Sequence, residues 1–212
     1  MAGSTGARKS GGEWLFQLTT ITLGVLIALS FDAALRWNTD RRLVAEAKAT
    51  IQQEIADNRR YMEGHVAELP RRIEQLETAQ QLLDDLLAER ESSVHEVQIG
   101  LTLPELTSAG WETAERTGAL ALMDYADVQR LAKLYGFQDL FVSEFQRILE
   151  PLAQVEVYFR KGPPVTHDDL QTARIAIVEL RGKLSLHEQL ARQLGEAYAT
   201  YRTEAAAAAS SR

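Results

Sequence analysis

No cysteine occurs anywhere in the chain. That removes disulfides, thiolate nucleophiles and cysteine-held metals, and it leaves the redox compartment open. Proline is scarce, with five in 212 residues, and aromatic residues make up only 7%. Ala, Leu, Glu, Gln and Arg take their place, a composition that favours long helices over sheets. A basic face is also missing. The formal net charge of −7 argues against nucleic acid as a partner, because a binder of phosphates needs a cationic surface. There is no phosphate loop, no dinucleotide fingerprint and no Ser–His–Asp arrangement that the sequence identifies. No cofactor, no metal and no catalytic activity are therefore expected.

One long apolar run stands out against this polar background. From Leu18 to Phe31 there is no charged residue, and Trp14 heads the run where a membrane-interface aromatic would sit. About 20 apolar residues at helical rise span the hydrocarbon of a bilayer. Residues 13–36 are accordingly read as a single transmembrane helix in the cell (inner) membrane. Thr19, Thr20 and Thr22 lower its hydropathy, but hydroxyls that bond back to the preceding turn insert at modest cost. Ala28-Leu29-Ser30 has the small-x-small form of a signal cleavage site. The helical pattern runs past it without a break, so an uncleaved anchor is expected. Arg8 and Lys9 precede the run, and Arg36, Arg41, Arg42 and Lys48 follow it. The Lys/Arg count favours a cytoplasmic domain, whereas a short basic tail before an apolar helix often stays inside. The side of the domain is left open by that conflict.

Thr20, Gly24 and Ala28 recur at every fourth position and make a small-residue stripe, a face on which two membrane helices can approach closely. Small residues are also simply common in membrane helices. Asp32 precedes Arg36 by four, the favourable order for an ion pair on a helix.

The remainder reads as helix after helix. Residues 1–12 are Gly/Ser-rich and expected to be disordered. Residues 37–91 carry Ile51, Ile55, Asn58, Met62, Val66, Leu69, Ile73, Leu76, Leu83 and Leu87 at steps of three, four and seven, a long amphipathic helix close to a heptad repeat. Gly64 and Pro70 predict a kink or a short break in it. Residues 92–107 change character and predict a loop with a short extended piece. A short helix over 108–117 follows, with Ser108 as N-cap and Gly118 as the left-handed stop. Asp124, with Asp127 as capping partner, opens a long helix over 124–160 that Pro151 bends. Lys161-Gly162-Pro163-Pro164 is a turn, and Thr166 with Asp169 caps the last helix, 166–203. Its stripe is Leu170, Ala173, Ile177, Leu180, Leu184, His187, Ala191, Leu194, Tyr198 and Tyr201. Residues 205–212 are expected to fray. The fold class is all-α, an anchor continuing into an elongated antiparallel helical bundle with coiled-coil-like seams.

Few residues invite chemistry. His167-Asp168 is the pair that metal phosphohydrolases use, but capping by Thr166 and Asp169 accounts for it and no convergent histidines are evident. His187 occupies a seam position. A buried imidazole there is either a pH switch or a group paired with a carboxylate or Tyr on a facing helix. Trp111 either lines a pocket between helices or wedges a short helix against the long ones. Trp111, Gly118, Tyr135 and His187 together are the candidate ligand or structural pocket.

Several pieces recur together. They are Gly24-Val25-Leu26-Ile27-Ala28-Leu29, Trp37-Asn38, Arg41-Arg42, Ile51-Gln52-Gln53-Glu54-Ile55, Asn58, Trp111-Glu112-Thr113, Thr117-Gly118-Ala119-Leu120 and Leu134-Tyr135. On these the chain resembles an uncharacterised family of bacterial single-pass membrane proteins with an N-terminal membrane helix and a helical domain of unknown function. The resemblance covers roughly residues 13–140. It implies a retained anchor and a structural role for the tryptophan–glycine turn, and it brings no activity.

Two functions fit these readings. The first is a membrane-anchored interaction or scaffold protein, whose partners are the bilayer and a second copy or another membrane protein. The other is an extracytoplasmic helical sensor that binds a small ligand and signals through a partner.

Overall fold

The computed structural model describes residues 11–94, 97, 99–100, 104–161 and 166–210, and among them the regular secondary structure is entirely helical. Six helices follow in order: α1 (Gly11–Leu87), α2 (Ala109–Arg116), α3 (Ala119–Leu122), α4 (Tyr125–Gln146), α5 (Leu149–Lys161) and α6 (His167–Ser210). Most of the expected tail over 1–12, the Gly162-Pro163-Pro164 turn, His95 and the last two residues lie outside the described residues.

α1 is 77 residues long and joins the apolar run to the amphipathic one without interruption. It is long and apolar enough to cross a membrane. Its most apolar window has a mean hydropathy of 1.9, and none of that window is buried. The hydroxyls of Thr19, Thr20, Thr22 and Ser30 each donate to the carbonyl four residues back, at 2.7–2.9 Å. Asp32 and Arg36 pair at 2.9 Å, as their spacing predicts. Helical assignment also runs through Gly64 and Pro70, so the expected break is absent. A proline inside a helix costs about 3 kcal/mol. Here α6 packs alongside that stretch, with Met62, Leu69 and Leu76 buried along it, and such tertiary packing outweighs local propensity.

The stripe of α1 from Ile51 to Leu83 and that of α6 from Ala173 to Tyr198 form the core. These two helices run antiparallel. Arg174 bonds Asp84, Arg181 bonds Gln80 and Glu77, and His187 meets His65, so sequence separation grows from 90 to 122 along the pair. α4 behaves differently. Lys48 reaches Asp127, Asn58 reaches Gln138, and Tyr135 reaches Glu54, at separations of 79, 80 and 81 residues. A constant offset means that α4 is parallel to α1.

The parallel relation comes from the connection. Glu89, in the left-handed region (φ 54°), ends α1, with Arg90 N–H bonded back to Asp85 O at 2.9 Å. The chain then runs back along α1 as a strap. Ser92 bonds Asp85, Gly100 O accepts from Arg72, and Thr107 bonds Asn58. From Asp85 to Asn58 the helix rises about 40 Å, a distance that fewer than 20 extended residues cover. No strand forms in the described part of this segment.

Three local expectations change. Ser108 holds the N-cap position of α2 but makes no cap bond. Its hydroxyl donates to Glu112 at 2.9 Å, and Thr107 Oγ1 instead accepts from Ala109 N–H at 3.3 Å. Asp124 caps α4 through Ala126 and Asp127 N–H, but Asp127 does not reciprocate, because its carboxylate is taken by Lys48 and Arg130. The single helix expected over 124–160 is two. Arg147 and Ile148 N–H bond carbonyls three residues back, which closes α4, and Pro151 then sits in the first turn of α5, where its missing N–H has no partner to lose. The Thr166–Asp169 cap forms as expected, with reciprocal bonds of 2.8–3.2 Å. α6 continues to Ser210, past the expected end at 203, because alanine is the strongest helix former.

Candidate functional site

Two polar layers interrupt the apolar core, and both are built on α1. The first centres on Glu54 and Asn58, one turn apart on the buried stripe. Glu54 accepts Gly110 N–H at 2.7 Å, Tyr135 O–H at 2.5 Å and Thr107 O–H at 3.4 Å. Asn58 donates to Thr107 O at 2.8 Å and to Gln138 Oε1 at 3.1 Å, and its own oxygen accepts Thr107 N–H at 3.1 Å. Tyr198 of α6 donates to the same Gln138 oxygen at 2.6 Å. Every helix that meets at this level thus contributes to one network.

Burial explains its electrostatics. Removing Tyr135 from water, and bonding its hydroxyl to the Glu54 carboxylate, pushes its pKa far above the usual phenol value. Tyr198 is pushed up chiefly by burial as well. By accepting from three donors, the Glu54 carboxylate fastens the 107–110 turn to α1. Gly110 belongs to this clamp. A side chain there would meet Thr50 Cγ2 at 3.1 Å and the Glu54 carboxyl at 3.4 Å.

The second layer lies eleven residues further along α1, about 16 Å at helical rise. His65 of α1 and His187 of α6 face each other with their Nε2 atoms 3.0 Å apart. Phe141 stacks on His187 (4.4 Å between centroids), Phe145 lies at 5.0 Å, and Tyr61 stacks on His65 at 6.0 Å. His187 is 1% exposed, and its Nδ1 is the one buried side-chain nitrogen or oxygen among the described residues with no hydrogen-bond partner. An orphaned lone pair is cheaper than an orphaned N–H. That assigns the shared proton to His187 Nε2, donated to the His65 lone pair. Burial lowers the pKa of His187 to about 4, with the neighbouring His65 adding to the effect. His65 is lowered by burial and then by Arg72. Both rings are neutral at pH 7.

These positions decide what the sequence-derived residues can do. Trp111 and Tyr135 do come together, stacked with centroids 5.2 Å apart and planes at 20°, so Trp111 closes the first layer as a wedge. Gly118 takes φ +77° between α2 and α3, the left-handed stop expected of it. His187 is in the other layer, so the four candidates do not line a single pocket. Its partner is a second histidine, not the carboxylate or tyrosine expected. His65 lies off the α1 stripe and gave no periodic signal. Nor did Glu54, which sits beside Ile55 where charged residues normally face solvent. Around the far side of His187 an open hollow is bordered by Glu144, Arg147, Lys183 and Leu186. Among the described residues no three His, Asp or Glu side chains group in a way that would hold a metal ion.

Thr20, Gly24 and Ala28 are exposed along one face of α1. The Thr20 hydroxyl is turned back onto Phe16 O, and nothing lies within 4 Å of where a Gly24 side chain would start.

No protein-family model, no curated protein and no solved structure matches the chain.

Proposed function

We propose that this chain is a membrane-anchored helical scaffold or interaction protein, with no reaction of its own. Residues 13–36 cross the bilayer, and the bundle behind them presents surfaces to partners at the membrane. The observation that carries this reading is the contrast within α1. Every residue from Trp14 to Trp37 is exposed, and the same unbroken helix is buried along its stripe from Ile51 onward. A surface with Phe16, Ile21, Leu26 and Phe31 all more than half exposed is unstable in water and at home in lipid. Trp14 and Trp37 are about 35 Å apart at helical rise, the spacing of two interfacial aromatic belts. Pairing of two copies along Thr20, Gly24 and Ala28 completes the proposal.

The test is extraction of native membranes with alkaline carbonate, followed by crosslinking of a Gly24→Cys variant in a chain that has no other cysteine. Retention in the membrane with a disulfide-linked dimer supports both parts. Release by carbonate overturns the anchor, and a monomer under oxidation overturns the pairing.

A sensor role is the second reading, favoured by the open hollow that His187 helps to line. It predicts a domain outside the cytoplasmic membrane and a ligand-dependent rise in melting temperature. Labelling a Ser93→Cys variant with a membrane-impermeant maleimide, in cells opened only at the outer barrier, separates the readings. Labelling before lysis favours the sensor, and labelling only after lysis favours the cytoplasmic scaffold.

A further inference from the structure

α2, α3 and the start of α4 form a turned-back hairpin against α1, and its level along α1 can be fixed. Gly110 sits on Thr50 and Glu54, whereas Thr117 borders a groove with Leu43. α2 therefore descends toward the anchor. α4 climbs away again, at the offset that puts Asp127 beside Lys48 and so Tyr125 beside residue 45. The turn between them, Gly118–Asp124, is the anchor-side tip of this hairpin.

That tip exposes two large apolar side chains on either side of the exposed N-cap Asp124. Leu122 is 47% exposed and Tyr125 75% exposed, with Met123 half-buried between them. Leu120, by contrast, packs inward on the core. The Tyr125 hydroxyl accepts from Gln129 at 3.0 Å. Trp37, 61% exposed with the Arg41 guanidinium 4.7 Å over its ring, marks the headgroup level on the same helix. Residues 43–45, the level of the tip, are six to eight residues beyond, about 9–12 Å. Headgroup layers are about 5–8 Å thick on each side of the hydrocarbon, and membrane helices tilt by about 20° on average. A tilt toward the hairpin brings its tip into that layer.

We infer that the α2–α4 tip is a second membrane contact, with Leu122 and the Tyr125 ring seated in the headgroup layer of the bilayer that holds the anchor. The occupant is lipid because the exposed apolar side chains of the patch lie next to the interface level that Trp37 marks on the same body. Tyrosine and leucine at such a depth have one end apolar and the other wet. Two contacts, the anchor and the tip, would fix the rotation and tilt of the bundle, which a single helix leaves free.

The inference rests on residues 13–36 being a membrane helix, and the experiment keeps the two apart. Single cysteines at Leu23, Leu122, Tyr125 and Val157 of the full chain carry an environment-sensitive fluorophore in phosphatidylcholine/phosphatidylglycerol vesicles. Lipids spin-labelled near the headgroup or deep in the chain serve as quenchers. The Leu23 label is expected to be quenched by the deep lipid. Labels at Leu122 and Tyr125 should be blue-shifted and lose emission to the shallow lipid only, while Val157, exposed at the far end on α5, reports water. A Leu122→Glu change should return the Tyr125 label to water. Quenching at Leu23 with water-like tips would overturn the contact and leave the anchor standing. Water-like emission at Leu23 as well would overturn both. A blue shift at the tip that lipid does not quench, and that fades on dilution, would assign the patch to a second copy instead.

Discussion

Two stretches of one helix follow opposite rules. Between Trp14 and Trp37, α1 carries apolar side chains all round and none is buried; between Ile51 and Leu83 it confines them to one stripe, and that stripe is removed from solvent almost completely. Backbone geometry is the same in both. What differs is the environment each surface calls for. An all-round apolar helix needs an apolar medium, whereas a striped helix needs other helices on one side and water on the other. The contrast also separates two uses of polar groups. In the first stretch hydroxyls satisfy themselves on their own helix, and in the second Glu54, Asn58 and His65 reach across to other elements.

The largest way to break this contrast is to charge the first stretch. Leu23→Arg with Leu26→Arg should each cost about 3 kcal/mol of insertion, moving the chain from the membrane fraction to the soluble or aggregated one. The melting temperature of the bundle should hardly move. A loss of bundle stability instead would mean that the two stretches are not independent.

Next in size is the first polar layer. Glu54→Leu leaves Gly110 N–H and the Tyr135 hydroxyl buried without an acceptor, at about 1–3 kcal/mol each. Chemical denaturation should show a loss of roughly 4 kcal/mol, with faster hydrogen exchange at residues 107–116 than elsewhere. Membrane retention should be unchanged.

The histidine layer gives a pH-dependent version of the same test. His187 is depressed to about 4 in the folded state, against about 6.5 unfolded. The unfolded chain thus binds the extra proton first as pH falls. The stability is complete above about pH 6.5 and declines as pH drops toward 4, by about 3 kcal/mol if the unfolded value is the ordinary one. Urea midpoints between pH 7 and 4 measure it, and His187→Phe, which fills a similar aromatic space, should flatten the dependence.

Gly118 offers the smallest effect. At φ +77° an alanine costs about 1–2 kcal/mol, visible as a modest drop in midpoint. If the tip touches lipid, the same variant should also loosen the fluorescence shift at Leu122.

Much of this molecule could be read from its letters. The apolar run, the stripes of α1 and α6, the Gly118 stop and the Thr166–Asp169 cap all depend on local spacing, and local spacing is what sequence displays. Pro70 and Pro151 differ in outcome because the effect of a proline depends on its surroundings. One stays within a helix that packs along α6, and the other falls in a first turn. The candidate pocket failed for a different reason. Trp111 and Tyr135 are joined, but His187 sits at another level of a long seam, and a seam position does not say how far along the bundle a residue lies.

The sequence by itself determined that the chain is helical, that one segment suits a bilayer, and which faces are apolar, because periodicity and composition act within a single helix. Only the tertiary structure decided that α4 runs parallel to α1 and that Glu54 clamps the 107–110 turn. The same holds for the meeting of His65 and His187. These relations join residues 50 to 120 positions apart, and they follow from the strap that carries the chain back along α1, a path that no local pattern encodes.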